Sequence, residues 1–229
     1  MRIVVFCAHP DDSEFAMGGV LLKLARAHDV VNVILTRGEA GTYGTPQIRE
    51  AEALEAGRRG GDRVRFLEYH DTLIEDTPKT VQHLAGIIRE LEPRVIFSPY
   101  HTIDGPHTEG KAHPDHSTLG TIVRKAARIA KFVNAPIPGS AHRADSLIYY
   151  MVPTFVRPSF AIDVSDVIDE LPEFWSAHAS QTQLRGGALI EHLLEWRRNV
   201  GSTCNARYAE SFIVETVPLI PLPAILPEP

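Results

Sequence analysis

The sequence predicts an α/β fold: a Rossmann-like, doubly wound and mostly parallel sheet with helices on both faces, in a three-layer sandwich. Residues 3–7, Ile-Val-Val-Phe-Cys, form a continuous apolar run typical of a strand buried on both faces. From there to Ser98, strand-like and helix-like periods alternate through four successive β-α units. Such units are joined by right-handed crossovers, which place the helices on the two faces of a parallel sheet.

Each further element has its own pattern. The helix expected at residues 17–27 carries Val20, Leu21 and Leu24 on one face. The next expected elements are strands at residues 30–35, 63–67 and 94–98, and helices at residues 46–59 and 77–91. Later elements are a helix from Pro114 to about residue 133, strands at residues 146–152 and 159–164, and helices at residues 171–179 and 188–200. Because no repeat or linker interrupts this order, we expect a single domain over residues 1–229.

Composition limits the classes of function. The 229 residues are 44% hydrophobic, which is ample for a sizeable core. A formal net charge of -6 argues against nucleic-acid binding, which needs a clustered basic surface. No apolar run approaches the roughly 20 residues of a membrane-spanning helix, so no membrane partner is expected. Only Cys7 and Cys204 are present, so we expect a reducing, cytoplasmic location. Histidine is unusually frequent, with 11 residues.

Two polar clusters follow predicted strands. Residues 8–14, Ala-His-Pro-Asp-Asp-Ser-Glu, come directly after the first strand. Residues 113–116, His-Pro-Asp-His, come after the fourth strand and a long Gly/Pro/His-rich loop at residues 99–113. Ligands of open α/β sheets bind outside the carboxyl ends of the strands, and the first and fourth strands are neighbours in the common doubly wound order. We therefore expect the two clusters to form one site.

Imidazole and carboxylate groups without a thiolate suit a catalytic zinc ion, although the same donors also accept other divalent ions. Of the adjacent pair Asp11 and Asp12, one carboxylate can bind the metal while the other takes a proton from water. Simpler interpretations stand beside this one. His-Pro-Asp favours turns, Asp12 or Ser13 suits the N-cap of the following helix, and Asp115 suits the positive end of its own helix.

The two His-Pro-Asp motifs, together with Gly18-Gly19, resemble the PIG-L/LmbE family of zinc-dependent N-acetylglucosamine deacetylases. Gly44-Thr45-Pro46 and Ser180-Gln181 are most similar to the bacterial branch that deacetylates N-acetylglucosaminyl malate in bacillithiol biosynthesis. The resemblance implies a metal-dependent amidohydrolase with one zinc ion per chain, iron(II) being the alternative in the cell. It also implies a homo-oligomer, a trimer or hexamer.

The resemblance also implies a role for each matching residue. It implies that His9, Asp12 and His116 bind zinc and that Asp11 is the general base. It implies further that His113, as an imidazolium, stabilises the oxyanion and that Asp115 orients this imidazolium. The implied or expected substrate contacts are Arg49, Glu14, Tyr100, Asp104 and His107. For these contacts the alternative is an ordinary solvated or helix-start charge.

We thus expect removal of the acetyl group from an N-acetylglucosamine-derived small molecule, with N-acetylglucosaminyl malate as the leading candidate. A chitobiose-like or inositol glycoside is the alternative substrate. A non-enzymatic sugar- or nucleotide-binding module is disfavoured because the first strand lacks a following Gly-x-Gly-x-x-Gly. A metal phosphoesterase would usually need two ions and more ligands.

Overall fold

The computed structural model describes residues 1–102, 113–183 and 187–215. Within these ranges, seven strands form one sheet in the order β3-β2-β1-β4-β5-β7-β6. The strands are β1 (Arg2–Cys7), β2 (Asp29–Ile34), β3 (Arg63–Phe66), β4 (Val95–Pro99), β5 (Ser146–Tyr150), β6 (Phe160–Asp163) and β7 (Ala209–Val214). The helices are α1 (Asp12–Ala25), α2 (Pro46–Gly60), α3 (Pro78–Leu91), α4 (Pro114–Ala130), α5 (Leu171–Trp175), α6 (Ala179–Thr182) and α7 (Leu189–Thr203).

Local sequence explains where the regular helices begin and end. Helices α2 and α3 each start at a Thr-Pro pair: the Thr45 side chain accepts a hydrogen bond from the Ile48 N–H, and Thr77 accepts one from the Thr80 N–H. These bonds satisfy backbone donors that the first turn of a helix leaves free. Helix α2 ends at Gly61, whose φ of 83° is a left-handed conformation that glycine adopts without strain.

Helices cover both faces of the sheet, as expected for three layers. On one face, α1, α2 and α5 pack through residues such as Leu21, Ala53 and Trp175. On the other, α3 and α4 pack through residues such as Leu84 and Val123. The α/β three-layer prediction is therefore confirmed. No helix within the described ranges has the length and apolar character needed to cross a membrane.

The pairing of β1 with β4 is parallel, with Val4 opposite Ile96, so the ends of these two strands adjoin at one edge of the sheet. The structure differs from the sequence expectation in three elements. Helix α1 starts at Asp12 and is kinked at Met17, the helix expected at residues 171–179 is split into α5 and α6, and β7 was not expected. Strand β7 does not fit the β-α pattern because it is antiparallel and because the buried Glu210 and Ser211 interrupt its apolar residues near its start.

Candidate functional site

The turn after β1 fixes one carboxylate in a particular orientation. Oδ2 of Asp12 accepts hydrogen bonds from the backbone N–H groups of Ala8, at 2.7 Å, and His9, at 3.0 Å. The other oxygen, Oδ1, lies 3.0 Å from Nε2 of His116. Asp12 thus accepts hydrogen bonds from the backbone that precedes it, not from the helix that follows. The N-cap residue of α1 is Asp11, and its side chain makes no capping hydrogen bond. Helix capping does not account for this aspartate.

Three donor atoms converge beside this turn. His9 Nδ1 lies 3.2 Å from His116 Nε2 and 3.7 Å from Asp12 Oδ1. With the 3.0 Å separation of His116 Nε2 and Asp12 Oδ1, they form a small triangle. Ligands about 2.0–2.1 Å from a tetrahedral ion lie roughly 3.3 Å from one another, so this triangle has the size of a zinc site. The three residues form a group able to hold a metal ion, and they are the residues that the resemblance implies as ligands.

The charges around His9 also favour a cation. Burial opposes protonation of this ring, but hydrogen bonds to Asp115, Asp12 and Asp71 raise the pKa of His9 to about 12. Burial likewise opposes ionisation of Asp12, yet His116 and His9 hold the pKa of its carboxyl well below the usual range. A buried set of carboxylates and imidazoles that attracts protons so strongly is also suited to a divalent ion.

Asp71 was not among the site residues predicted from the sequence. Its Oδ1 lies 3.0 Å from His9 Nε2. Its carboxylate therefore faces the ring nitrogen opposite to the one that faces Asp12 and His116. Asp71 belongs to the loop that follows β3, whereas the two His-Pro-Asp motifs follow the first and fourth strands. Its position after a parallel strand, next to His70, is the signal that was available in the sequence.

Asp11 faces Arg49 across the mouth of the site. Nη2 of Arg49 lies 3.2 Å from Asp11 Oδ2, while Nη1 donates to the Gly38 carbonyl at 2.9 Å. Arg49 is only 5% exposed, so it is not the solvated helix charge of the simpler interpretation. Burial raises the pKa of Asp11, as does Asp12, whereas Arg49 lowers it; the net result is a pKa above the ordinary value. A carboxylate with a raised pKa is better able to accept a proton from water.

His113 is the N-cap of α4, and its Nδ1 accepts a hydrogen bond of 3.3 Å from the Asp115 N–H. This contact favours the neutral tautomer that carries its proton on Nε2. Burial and the neighbouring His9 lower the pKa of His113 below its ordinary value, against the opposing effect of Asp115. The structure thus shows His113 with Nδ1 as an acceptor, while its role as an imidazolium that stabilises the oxyanion stays a prediction.

A cavity of about 460 Å³ opens over these groups. Its lining includes the three metal-directed residues together with Asp11, Arg49, Asp71 and His113, and it is completed by apolar surface from Phe15 and Met151. Thr72 and Met151, both in this lining, have positive φ values of 68° and 55°. Such backbone strain in residues other than glycine is concentrated at functional sites.

Of the other expected substrate contacts, Glu14 and Tyr100 do not line this cavity. Glu14 is 1% exposed, accepts a hydrogen bond from Ser13 Oγ and faces His178 Nε2 at 3.6 Å, so the expected contact with substrate does not agree with its burial. The ring of Tyr100 packs edge-on against Tyr149 and does not belong to the cavity lining. Asp104 and His107 lie outside the described residues. His178, also missed from the sequence, is fully buried three residues before Gln181.

Comparison with known proteins agrees with this geometry. The sequence pattern of the PIG-L family, described as GlcNAc-PI de-N-acetylase, matches residues 4–127, more than half of the chain. The chain belongs to the PIG-L family. Both His-Pro-Asp motifs fall within the matched residues, and PIG-L deacetylases depend on a metal. As a member of this family, the protein is a hydrolytic deacetylase.

Named relatives of this PIG-L member include the diacetylchitobiose deacetylase of Thermococcus kodakarensis, 26% identical over 79% of this chain and 70% of the relative. A probable N-acetyl-alpha-D-glucosaminyl L-malate deacetylase 2 of Bacillus cereus is 28% identical over 80% of this chain and 84% of the relative. Among solved structures, a conserved protein from Thermus thermophilus is 32% identical, with a TM-score of 0.84 and coverage of 96% and 97% of the two chains.

Proposed function

We propose that this protein is a zinc-dependent hydrolase that removes the N-acetyl group from an N-acetylglucosamine-derived small molecule. The observation that carries the proposal is the triangle of His9 Nδ1, Asp12 Oδ1 and His116 Nε2, with edges of 3.0 to 3.7 Å, beside the Asp11 carboxylate. A binding module without catalysis would have no use for a base next to a metal site. The similarity to two named deacetylases supports the same reaction class.

His9, Asp12 and His116 would hold the ion, and the second oxygen of Asp12 is already occupied by two backbone N–H groups. Three protein ligands leave a tetrahedral ion one open position, which is the arrangement of catalytic rather than structural zinc sites. When bound, zinc supplies Lewis acidity, polarising the acetamide carbonyl and lowering the pKa of water. Iron(II) would suit the same nitrogen and oxygen donors.

Asp11 acts as the base. It accepts a proton from the attacking water as the water oxygen forms its bond to the acetyl carbon. Asp11 then delivers this proton to the amide nitrogen as the carbon–nitrogen bond breaks, giving the free amine and acetate. Arg49, 3.2 Å from its carboxylate, fixes the direction of Asp11 without preventing protonation, because burial keeps the pKa above its ordinary value.

His113 stabilises the developing oxyanion. Its Nδ1 is engaged by the Asp115 N–H, which leaves Nε2–H as the donor toward the cavity. A donor preorganised toward the transition state supplies about 2.7–4 kcal/mol in comparable sites. Asp115 is 2% exposed and accepts a hydrogen bond from the Thr72 N–H at 2.8 Å, so the residue behind His113 is itself fixed.

Among substrates we propose N-acetylglucosaminyl malate, as a step of bacillithiol biosynthesis. The Bacillus cereus relative supports this choice, and Arg49 in the cavity lining is a cation able to bind a hydroxyl or a carboxylate. We also propose Tyr100, Asp104 and His107, from residues 99–113 of the sequence, as substrate contacts. Diacetylchitobiose is the competing substrate, because the Thermococcus relative is named for it.

The test is an amine-release assay on metal-loaded protein with four substrates: N-acetylglucosamine, its malate glycoside, its inositol glycoside and diacetylchitobiose. We expect turnover of the malate glycoside with the highest kcat/KM, and loss of turnover after chelation that returns on adding zinc. Preference for the chitobiose dimer would move the assignment to that substrate. Chelator-resistant turnover would refute the metal-dependent reaction, and elemental analysis distinguishes zinc from iron.

We also propose that the enzyme is cytoplasmic and forms a trimer or hexamer. Both cysteines are free thiols, Cys7 inside β1 and Cys204 at the surface, which supports a reducing compartment. Leu73, which is 67% exposed next to the cavity-lining Thr72, supports an interface near the site. Light scattering measures the mass in solution, and a monomer would refute the assembly. With a net charge of -6, no nucleic-acid or membrane partner is proposed.

A further inference from the structure

The two nitrogens of the His9 ring face different groups. Nδ1 faces the other two metal-directed residues, at 3.2 Å from His116 Nε2. Nε2 lies 3.0 Å from Asp71 Oδ1 and, farther away, 3.5 Å from Asp115 Oδ2, so Asp71 is its nearer acceptor. A histidine can present either nitrogen to a metal, and the hydrogen bond made by the opposite nitrogen determines which one it presents. The ring is 7% exposed and Asp71 is 6% exposed, so water has little access to compete for this bond.

The Asp71 carboxylate is held in place by the surrounding backbone. Its Oδ2 accepts a hydrogen bond from the Ala40 N–H at 3.0 Å, and its own N–H donates to Glu39 Oε1 at 3.0 Å. These two backbone contacts give the carboxylate a fixed direction, with Oδ1 left to face His9 Nε2.

The next residue shows that this turn is held under strain. Thr72 has a φ of 68°, and a β-branched residue in the left-handed region is a genuine outlier. The same residue donates its N–H to Asp115 Oδ2 at 2.8 Å. Strain of about 1–3 kcal/mol persists only where the surrounding contacts over-determine the backbone. Here Asp71 connects the turn after β3 to His9. Asp115 connects the same turn to the start of α4, where His113 is the N-cap.

We infer that Asp71 is a positioning residue for the metal centre: it accepts the Nε2–H of His9 and thereby fixes Nδ1 as the nitrogen that faces the ion. This inference rests on the proposed metal site and adds a residue that the two His-Pro-Asp motifs do not contain. Carboxylates behind metal-binding histidines typically contribute 10- to 100-fold in metal affinity. Asp71 also lines the cavity, so its effect on the metal has to be separated from any contact with substrate.

The experiment compares Asp71→Asn with Asp62→Asn in the full chain. Asp62 is also a buried carboxylate, at 8% exposed, but it accepts from Asn32 outside the cavity. Zinc affinity is measured by competition with a chelating dye, and folding of the metal-free variants by circular dichroism and thermal unfolding. We expect zinc Kd to rise about 10- to 100-fold for Asp71→Asn. For Asp62→Asn we expect a Kd within about twofold of wild type, whatever its change in stability.

The outcomes separate this inference from the proposed function. If the wild-type chain binds no zinc stoichiometrically, the metal site itself is wrong. If wild type binds one ion and Asp71→Asn binds it equally well, the metal site stands and the role of Asp71 is refuted. Equal losses of zinc affinity in both variants would also refute it, because a general effect of removing a buried carboxylate would then explain the result. In the supporting case, saturating zinc restores kcat of Asp71→Asn while KM changes less than twofold.

Discussion

Replacing Asp62 with Asn is expected to stabilise the folded protein, and by more at pH 8 than at pH 5. Asp62 follows helix α2 and is 8% exposed. Its Oδ2 accepts a hydrogen bond from Asn32 Nδ2 at 2.8 Å. Asp62 Oδ1 and Asn32 Oδ1 are both buried acceptors without a partner among the described residues. An amide at position 62 keeps the existing bond, brings an N–H donor to this acceptor-rich pair, and removes the charge.

Burial, and secondarily the charge of Glu14, raise the pKa of Asp62 from 3.8 to about 7. Because the folded-state pKa is above the unfolded one, the folded state binds the proton more tightly, and stability is lost as pH rises from about 4 to about 7. Each unit of pKa difference corresponds to about 1.36 kcal/mol, so the ionised carboxylate costs about 4 kcal/mol above pH 7. Between pH 5 and pH 8 the cost grows by roughly 2.5 kcal/mol.

The assay is urea unfolding of metal-free wild type and Asp62→Asn at pH 5 and pH 8. The difference in the free energy of unfolding between the two proteins should increase by roughly 2–3 kcal/mol at the higher pH. Asp145→Asn, which replaces an exposed aspartate paired with Arg94, separates the effect of burial from that of losing a surface charge. An Asp62→Asn variant that gains no stability over wild type between the two pH values would refute the reasoning.

Three further predictions concern the base, the core and the site arginine. Asp11→Asn should lower kcat by about 10²- to 10⁴-fold in the amine-release assay with zinc Kd unchanged, and near-normal turnover would contradict its role as base. Glu210→Gln leaves a fully buried guanidinium without its ion partner, so urea unfolding should show a loss of about 3–5 kcal/mol; a loss under about 1 kcal/mol would contradict this. Gly38→Ala places a Cβ in steric overlap with Arg49 Nη1 and should lower kcat/KM. Gly187→Ala, also at a positive φ, brings its Cβ within 4 Å of no atom of the described residues and should cost stability alone; equal kcat/KM in the two variants would exclude the steric effect.

Much of the fold could be predicted because its patterns are local. The apolar run of β1 and the Thr-Pro helix starts of α2 and α3 depend on residues within a few positions of one another. Strand β7 could not be predicted in this way. Its Glu210 is tolerated in the core only because Arg197, on α7, and the N–H groups of Gly19 and Val20, at the kink of α1, satisfy it.

The site likewise combines features that local sequence predicts with features that depend on tertiary contacts. The order of β-α units was enough to expect His9 and His116 side by side, because the carboxyl ends of neighbouring parallel strands share an edge. The sequence did not show that Asp71 would face His9, since this contact joins residues 62 positions apart through a loop whose course depends on the strained Thr72. Nor did it show that Glu14, next to Ser13 in the same motif, would point into the interior.

The sequence by itself determined the α/β class and the two polar clusters after the first and fourth strands, because periodicity and motif spacing are properties of the chain alone. The proposed metal ligands and base within these clusters came from the resemblance to the PIG-L family. Only the tertiary structure decided which nitrogen of His9 faces the metal site, which tautomer His113 favours and how Arg49 restrains Asp11. These properties depend on hydrogen bonds and burial between segments distant in sequence. A displacement of about 1 Å changes such interactions, and residue identity does not encode it.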